Sequence, residues 1–113
     1  MSSTQVVRAS FDAYLAQDRN RARRLIADDL VFTSPQDDHI DKAAYFERCF
    51  PTADRLRSQE ILELVSAGED QAFILYEYEL RTGGRYRNTE LIRVRDGQIV
   101  EIQVFFGGQV HPS

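Results

Sequence analysis

Residues 71–106 read QAFILYEYELRTGGRYRNTELIRVRDGQIVEIQVFF, and this stretch decides the fold. It holds three β-rich runs, 71–81, 86–95 and 98–106, separated by Thr82-Gly83-Gly84-Arg85 and by Asp96-Gly97. Glycine supplies the positive φ that tight primed turns require. Both separators therefore read as hairpin turns and the runs as antiparallel neighbours. A fourth run, 57–67, precedes them across the turn signal Gly68-Glu69-Asp70.

Upstream the pattern becomes helical. Val7, Phe11, Tyr14 and Leu15 recur at helical spacing across 4–17, with Ser3 or Thr4 as N-cap. The spacing breaks at Gln17-Asp18, and Asp18 is suited to cap a second short helix reaching Asp28. Its inward positions are Ala22, Leu25 and Ile26; Arg19, Arg21, Arg23 and Arg24 crowd the rest, as on a solvated face. Leu30 to Thr33 reads as a short strand stopped by Ser34-Pro35, with Gln36 to His39 as a loop. Asp41 caps a third helix through Phe50, ended by Pro51, with Tyr45, Phe46, Cys49 and Phe50 inward. Helical segments first and antiparallel strands afterwards predict an α+β domain with the helices on one sheet face.

A length of 113 residues allows one domain, 1–113. Such a chain buries roughly 65% of its unfolded surface, enough for a core without metal or disulfide staples. The 42% hydrophobic content excludes disorder. The basic residues are thirteen arginines and one lysine, Lys42, yet the net charge is −4. A pI near 5.1 argues against nucleic acid or an anionic membrane as partner. No apolar run approaches the ~18 residues of a membrane span, and the first ten residues carry no apolar signal core. A single cysteine, Cys49, excludes an internal disulfide and fits a reducing compartment. The expectation is a cytoplasmic protein.

The order of these pieces resembles the SnoaL-like branch of the nuclear transport factor 2-like superfamily, which includes the ketosteroid isomerases. Nearly the whole chain takes part. The resemblance is carried by the two-helix opening, by Ile26-Ala27-Asp28-Asp29 running into the strand Leu30 to Thr33, and by the hairpin Arg95-Asp96-Gly97-Gln98-Ile99-Val100-Glu101. The closing strand Ile102-Gln103-Val104-Phe105-Phe106-Gly107 completes it. It implies three N-terminal helices packed in a strongly curved, mainly antiparallel sheet, a cystatin-like cone with an internal pocket and frequent homodimers. Relatives include isomerases, cyclases, dehydratases, epoxide hydrolases and binding proteins without chemistry, so fold does not fix function. Ketosteroid isomerase pairs an aspartate base with an oxyanion hole of a tyrosine and a protonated aspartate. The base position, directly before a proline at the end of the first strand, matches Ser34; the helix-one tyrosine matches Phe11; the oxyanion aspartate matches Glu90. A serine takes no α-proton without an activating neighbour, and phenylalanine has no hydroxyl. The resemblance therefore does not extend to that mechanism.

If Thr82 pairs with Arg85 around the two glycines, Leu75 opposes Ile92, Phe73 opposes Val94, Glu77 opposes Glu90 and Glu79 opposes Asn88. Val100, Ile102, Val104 and Phe106 would line the same face. Two opposed glutamates repel, and in an apolar cavity one keeps its proton near neutral pH, the property of a general acid. Glu90 and Glu77 are thus the catalytic candidates; alternatively both sit at an open rim, neutralised by Arg85 or Arg87. A turn one residue longer would instead set Tyr76 opposite Glu90 and turn Glu77 away. Tyr14 and Tyr45 offer hydroxyls, and His39 sits at the pocket mouth.

The Asp37-Asp38-His39-Ile40-Asp41 segment packs its carboxylates and histidine into one short loop, and the other histidine, His111, lies in the tail. No metal and no cofactor are expected. The other sheet face would carry Ile74, Tyr76, Tyr78 and Leu80, then Arg87, Thr89, Leu91 and Arg93, then Glu101, Gln103 and Phe105. Tyrosine and arginine among aliphatics is an interface composition, so a homodimer through this face is expected. The leading function is a small-molecule isomerase, cyclase or dehydratase acting on a hydrophobic ligand through carboxylate acid/base chemistry. The alternative is a non-catalytic binding or accessory protein.

Overall fold

Ser2, one residue earlier than expected, starts the first helix in the computed structural model, which describes residues 1–111. Its hydroxyl accepts from the Gln5 amide at 3.2 Å while Gln5 Oε1 accepts from the Ser2 amide at 2.8 Å, a reciprocal capping box. Helix α1 runs Ser3–Ala16 and stops where Gln17 turns left-handed at φ 53°. Asp18 caps α2, Arg19–Leu25, by accepting from Arg21 N–H. That helix ends short of Asp28, because Ile26 is already extended and opens strand β1, Ile26–Ser34. The strand is longer than expected since buried Ile26 pairs with Ile99 of the last strand. The Gln36 to His39 segment is likewise no simple loop: Asp37–Ile40 forms β2, paired back on β1.

Asp41 caps α3, Lys42–Arg48, through the Ala44 amide at 2.9 Å. Pro51 has no N–H to continue the ladder, and Phe50–Arg55 closes into a 3-10 turn. Four long strands follow: β3 Leu56–Ser66, β4 Gln71–Leu80, β5 Arg85–Arg95 and β6 Gln98–Val110. The six strands form one curved sheet in the order β2-β1-β6-β5-β4-β3, in which β1–β6 is the parallel pair. The architecture is the expected α+β arrangement of three helices packed against a mainly antiparallel sheet. Phe50, Ile26, Ile74, Ile92, Ile99, Val6 and Val7 are its fully buried large side chains, each contributing about 1.5–3 kcal/mol.

The β4–β5 register differs from the expected one. Ile74 lies opposite Glu90, Tyr76 opposite Asn88, Glu77 opposite Arg87 and Glu79 opposite Arg85. The cause is the turn. Gly83 N–H donates to Leu80 C=O, and Gly83 and Gly84 follow at φ 102° and 95°. Four residues, Arg81 to Gly84, therefore join the strands where a two-residue turn was expected. The even-numbered residues of β4 now share the concave face with the even-numbered residues of β5. Glu77 and Glu90 are on opposite faces, which removes the paired carboxylates.

Two bulges aim the ends of β6. Between Arg93 and Val94 the pairing skips Val100, so fully buried Ile99 takes the inward place expected of Val100. Between Tyr86 and Asn88 the pairing skips another residue, with Gly107 and Gly108 facing Arg87. A Cβ on Gly107 would stand 2.5 Å from the Arg87 carbonyl oxygen, a close approach that only glycine allows.

Candidate active site

Between the helices and the concave sheet face lies a cavity of about 510 Å³, within the size range of small-molecule sites. Helix α1 supplies Ser10, Phe11 and Tyr14, β1 supplies Phe32 and Ser34, and α3 supplies Tyr45. The sheet contributes Tyr76 and Tyr78 from β4, Asn88, Glu90 and Ile92 from β5, and Ile102, Val104 and Phe106 from β6. Aromatic and aliphatic side chains make up about half of the wall; of its polar groups, most fall into two clusters, and Arg48, Arg55 and Gln59 complete the lining.

The inner cluster centres on Glu90. Strand alternation turns this residue inward between Asn88 and Ile92, and its side chain is buried. Tyr76 Oη donates to Glu90 Oε2 at 2.5 Å, and Asn88 Nδ2 donates to Tyr76 Oη at 3.3 Å. Asn88 thereby directs the phenolic proton toward the carboxyl. The Tyr76 bond is the one hydrogen bond found for this carboxyl among the described residues. Burial pushes the Glu90 carboxyl up to about 7, and the Tyr76 bond opposes the shift only in part. Both protonation states are then populated near neutral pH. Burial and the adjacent carboxyl also push the Tyr76 phenol well above its ordinary range, so it stays a donor. Phe11 packs edge-on against Tyr76 with ring centroids 5.1 Å apart and holds it in place.

The outer cluster lies towards α3. Ser34 Oγ donates to Asp37 Oδ2 at 3.2 Å and accepts from the Gln36 and Asp37 amides at 3.1 Å each. Its hydroxyl thus holds the β1–β2 corner. Tyr14 Oη and Thr52 Oγ1 are 2.7 Å apart, and Thr52 Oγ1 donates to Cys49 C=O. Burial and the Asp37 charge push the Cys49 thiol up to about 12, so it is unreactive packing.

Phe11, Tyr14, Ser34, Tyr45, Asn88, Glu90, Ile92, Ile102, Val104 and Phe106 all stand at the cavity wall. Four expected residues do not. Glu77 faces outward, held by Arg87 Nε at 3.0 Å and Arg85 at 3.3 Å. Leu75 shares that outer face, opposite Thr89. Val100 is the bulge residue and borders a separate surface depression with Ser2 and Arg95. His39 is exposed on β2 at φ 51°, 2.6 Å from Asp38, away from the cavity.

Tyr76, Tyr78 and Leu80, assigned by sequence to the outer face, line the cavity, as does Gln59 of β3. The signal for the tyrosines was present. Glu77 and Glu79 alternate with Tyr76, Tyr78 and Leu80, and a strand turns its apolar set to the core. The outer face of β4 is accordingly Phe73, Leu75, Glu77 and Glu79.

Comparison with known proteins agrees with this architecture. Residues 7–102 match the model of the SnoaL-like domain. A crystal structure of a protein from Kribbella flavida superposes with TM-score 0.83 at 23% identity, covering 93% of this chain and 86% of that one. An NTF2-like protein of unknown function from Mesorhizobium loti gives TM-score 0.79 at 26% identity over 94% and 91%. A protein with a cystatin-like fold from Xanthomonas campestris gives 0.80 at 18% over 96% and 93%. No curated protein matches the chain. With a family model covering most of its length and the same helices-on-curved-sheet architecture in its structural neighbours, the chain belongs to the SnoaL-like domain family.

Proposed function

We propose that the cavity binds a small hydrophobic carbonyl compound and that Glu90 moves a proton on it, in a cofactor-independent isomerisation. One observation carries this reading: a buried carboxyl, held by a single phenol, stands among aromatic and aliphatic side chains in the wall of the cavity. As carboxylate, Glu90 removes a proton from the carbon next to the carbonyl, leaving an enolate. As carboxylic acid, it returns that proton to a different carbon of the conjugated system, and no oxidant or reductant is needed. Tyr76 stabilises the carboxylate form, and Asn88 orients Tyr76. A group that titrates near neutral pH is suited to both half-steps.

The alternative, binding without catalysis, is favoured by one specific observation. No second proton-transfer group stands beside Glu90 in the family's pattern: the Ser34 hydroxyl is engaged with Asp37 and Phe11 has none. Deuterium exchange separates the two readings. β-Tetralone in D₂O, followed by NMR, should exchange its α-protons at least ~100-fold faster with the protein than without, within the usual range for one general base. Glu90→Gln should abolish the acceleration and retain binding. Binding with no acceleration by the wild type would establish the non-catalytic reading.

We also infer that the convex sheet face joins two copies of the chain. Val65, Phe73, Leu91 and Gln103 form one row across it, and Glu63, Leu75, Thr89 and Phe105 the next. Val65, Phe73 and Phe105 are 49%, 42% and 49% exposed, an apolar surface that favours a partner.

A further inference from the structure

We propose that Arg55 is an anion-binding residue at the mouth of the cavity, and that the ligand is a hydrophobic acid whose carboxylate pairs with its guanidinium. The proposal rests on the reading of the cavity as a site for a hydrophobic carbonyl compound and adds a negative charge to that ligand. Two arginines line the cavity, Arg48 and Arg55. Arg48 already faces a carboxylate, with Nη1 3.7 Å from Asp37 Oδ1. Arg55 is exposed and takes part in no ion pair among the described residues. The five strand arginines behave otherwise: Arg57, Arg85, Arg87, Arg93 and Arg95 each stand within 3.8 Å of a carboxylate. Arg19 and Arg23 of α2 lie over the rings of Phe46 and Phe50. At the cavity, Arg55 is the cation left without a counter-charge.

The backbone that carries Arg55 is pinned where the 3-10 turn passes into β3. Arg81 N–H donates to Arg55 C=O at 2.9 Å, and Arg81 Nε donates to Asp54 C=O at 2.9 Å. The α-carbon is therefore fixed at the mouth while the side chain alone adjusts, which lowers the ordering cost of binding. Tyr14 links this end of the cavity to the inner one. Burial and the Glu90 carboxyl push its phenol above the ordinary range, while the Arg55 guanidinium pulls it back in part, so the phenol lies within electrostatic reach of both groups. Its own proton is committed. Thr52 Oγ1 donates to Cys49 C=O and so accepts from Tyr14 Oη. The guanidinium is thus the donor available to an anion here. It is always charged, and its planar fork presents two parallel N–H bonds to a carboxylate. Exposed at the mouth, it stays hydrated when the site is empty and avoids the penalty of a buried charge. The ligand so defined has its carboxylate on Arg55 and its proton-transfer end at Glu90.

Calorimetric binding of three probes tests this: β-tetralone, the same ketone carrying a carboxylate on the ring remote from the carbonyl, and the primary amide of that acid, which keeps the shape without the charge. The wild type should bind the acid about tenfold tighter than the amide, the equivalent of about 1.4 kcal/mol for a charge-assisted pair at an open site. Raising the salt from about 0.05 M to about 0.5 M should shrink that preference. Arg55→Met should abolish it while leaving the affinity for β-tetralone within about twofold, a result that also shows the variant is folded. Arg55→Lys keeps the charge without the fork and should keep part of the preference. Equal binding of acid and amide by the wild type, or a preference that survives Arg55→Met, would overturn the assignment of Arg55 and leave the Glu90 reading standing. Binding of none of the three probes would overturn the cavity reading itself, and the Arg55 assignment with it.

Discussion

Glu90 is an acid buried in the protein and free in the unfolded chain, so its protonation is linked to stability. Its folded pKa, about 7, lies above the ordinary value of 4.5. Between those values the folded state binds more protons than the unfolded state, and the free energy of unfolding falls as pH rises. The stabilisation is fully present below about 4.5 and is lost as pH rises through about 7. At ~1.36 kcal/mol per pH unit the full effect is roughly 3 kcal/mol. Glu90→Gln removes the titrating group, so thermal melts across this window should show the decline in the wild type and a flatter profile in the variant. Identical profiles would mean that the carboxyl is not desolvated. The two flanking residues have separate duties: Tyr76 supplies the hydrogen bond to the carboxyl, and Asn88 orients that bond.

Among the elements, β6 does the most to place the site. Its middle pairs with β1 on one side and β5 on the other, and its two bulges determine which residues reach the cavity. The distal bulge depends on Gly107, whose α-carbon faces the Arg87 carbonyl with no room for a side chain. Gly107→Ala should force β5 and β6 apart there and cost about 1–3 kcal/mol, the usual range for overpacking, measured by urea denaturation. A variant as stable as the wild type would show that the strand end adjusts freely. Element by element, the legible features were those with local causes. Asp18 and Asp41 were recognisable caps because a side-chain oxygen before an orphan amide is a local matter. The Asp96-Gly97 turn was legible as well, with both residues at positive φ, 52° and 77°. The Thr82 to Arg85 turn misled because glycines at positive φ suit both a two-residue and a four-residue connection.

On the scale of the whole molecule, one sheet serves two surfaces. Its concave face closes the cavity over α1 and α3, while its convex face carries charge and exposed aromatic side chains together. Glu77 between Arg85 and Arg87, and Arg93 beside Glu101, form exposed ion pairs, each contributing little alone. The apolar rows between them are the proposed dimer contact. Sedimentation at micromolar concentration should give twice the 13.0 kDa chain mass. The double substitution Phe73→Glu and Phe105→Glu should return the protein to a monomer with unchanged helical circular dichroism. A monomeric wild type would contradict the assignment.

The sequence by itself determined the class of fold, the order of the helices and of five of the six strands, the Asp18 and Asp41 caps and the inward set of β5, including Glu90. These follow from short-range causes: side-chain period, capping oxygens, and residues that tolerate positive φ. Only the tertiary structure decided which face of β4 shares the cavity with Glu90. A shift in the β4–β5 pairing exchanged Leu75 and Glu77 for Tyr76 and Tyr78, and one bulge exchanged Val100 for Ile99. Because successive residues of a strand face opposite ways, an odd shift of register moves every side chain to the other face. The four-residue turn at Arg81 to Gly84 and the burial of Ile74 and Tyr76 against the helices set that register together, and the second is a property of the folded sheet as a whole.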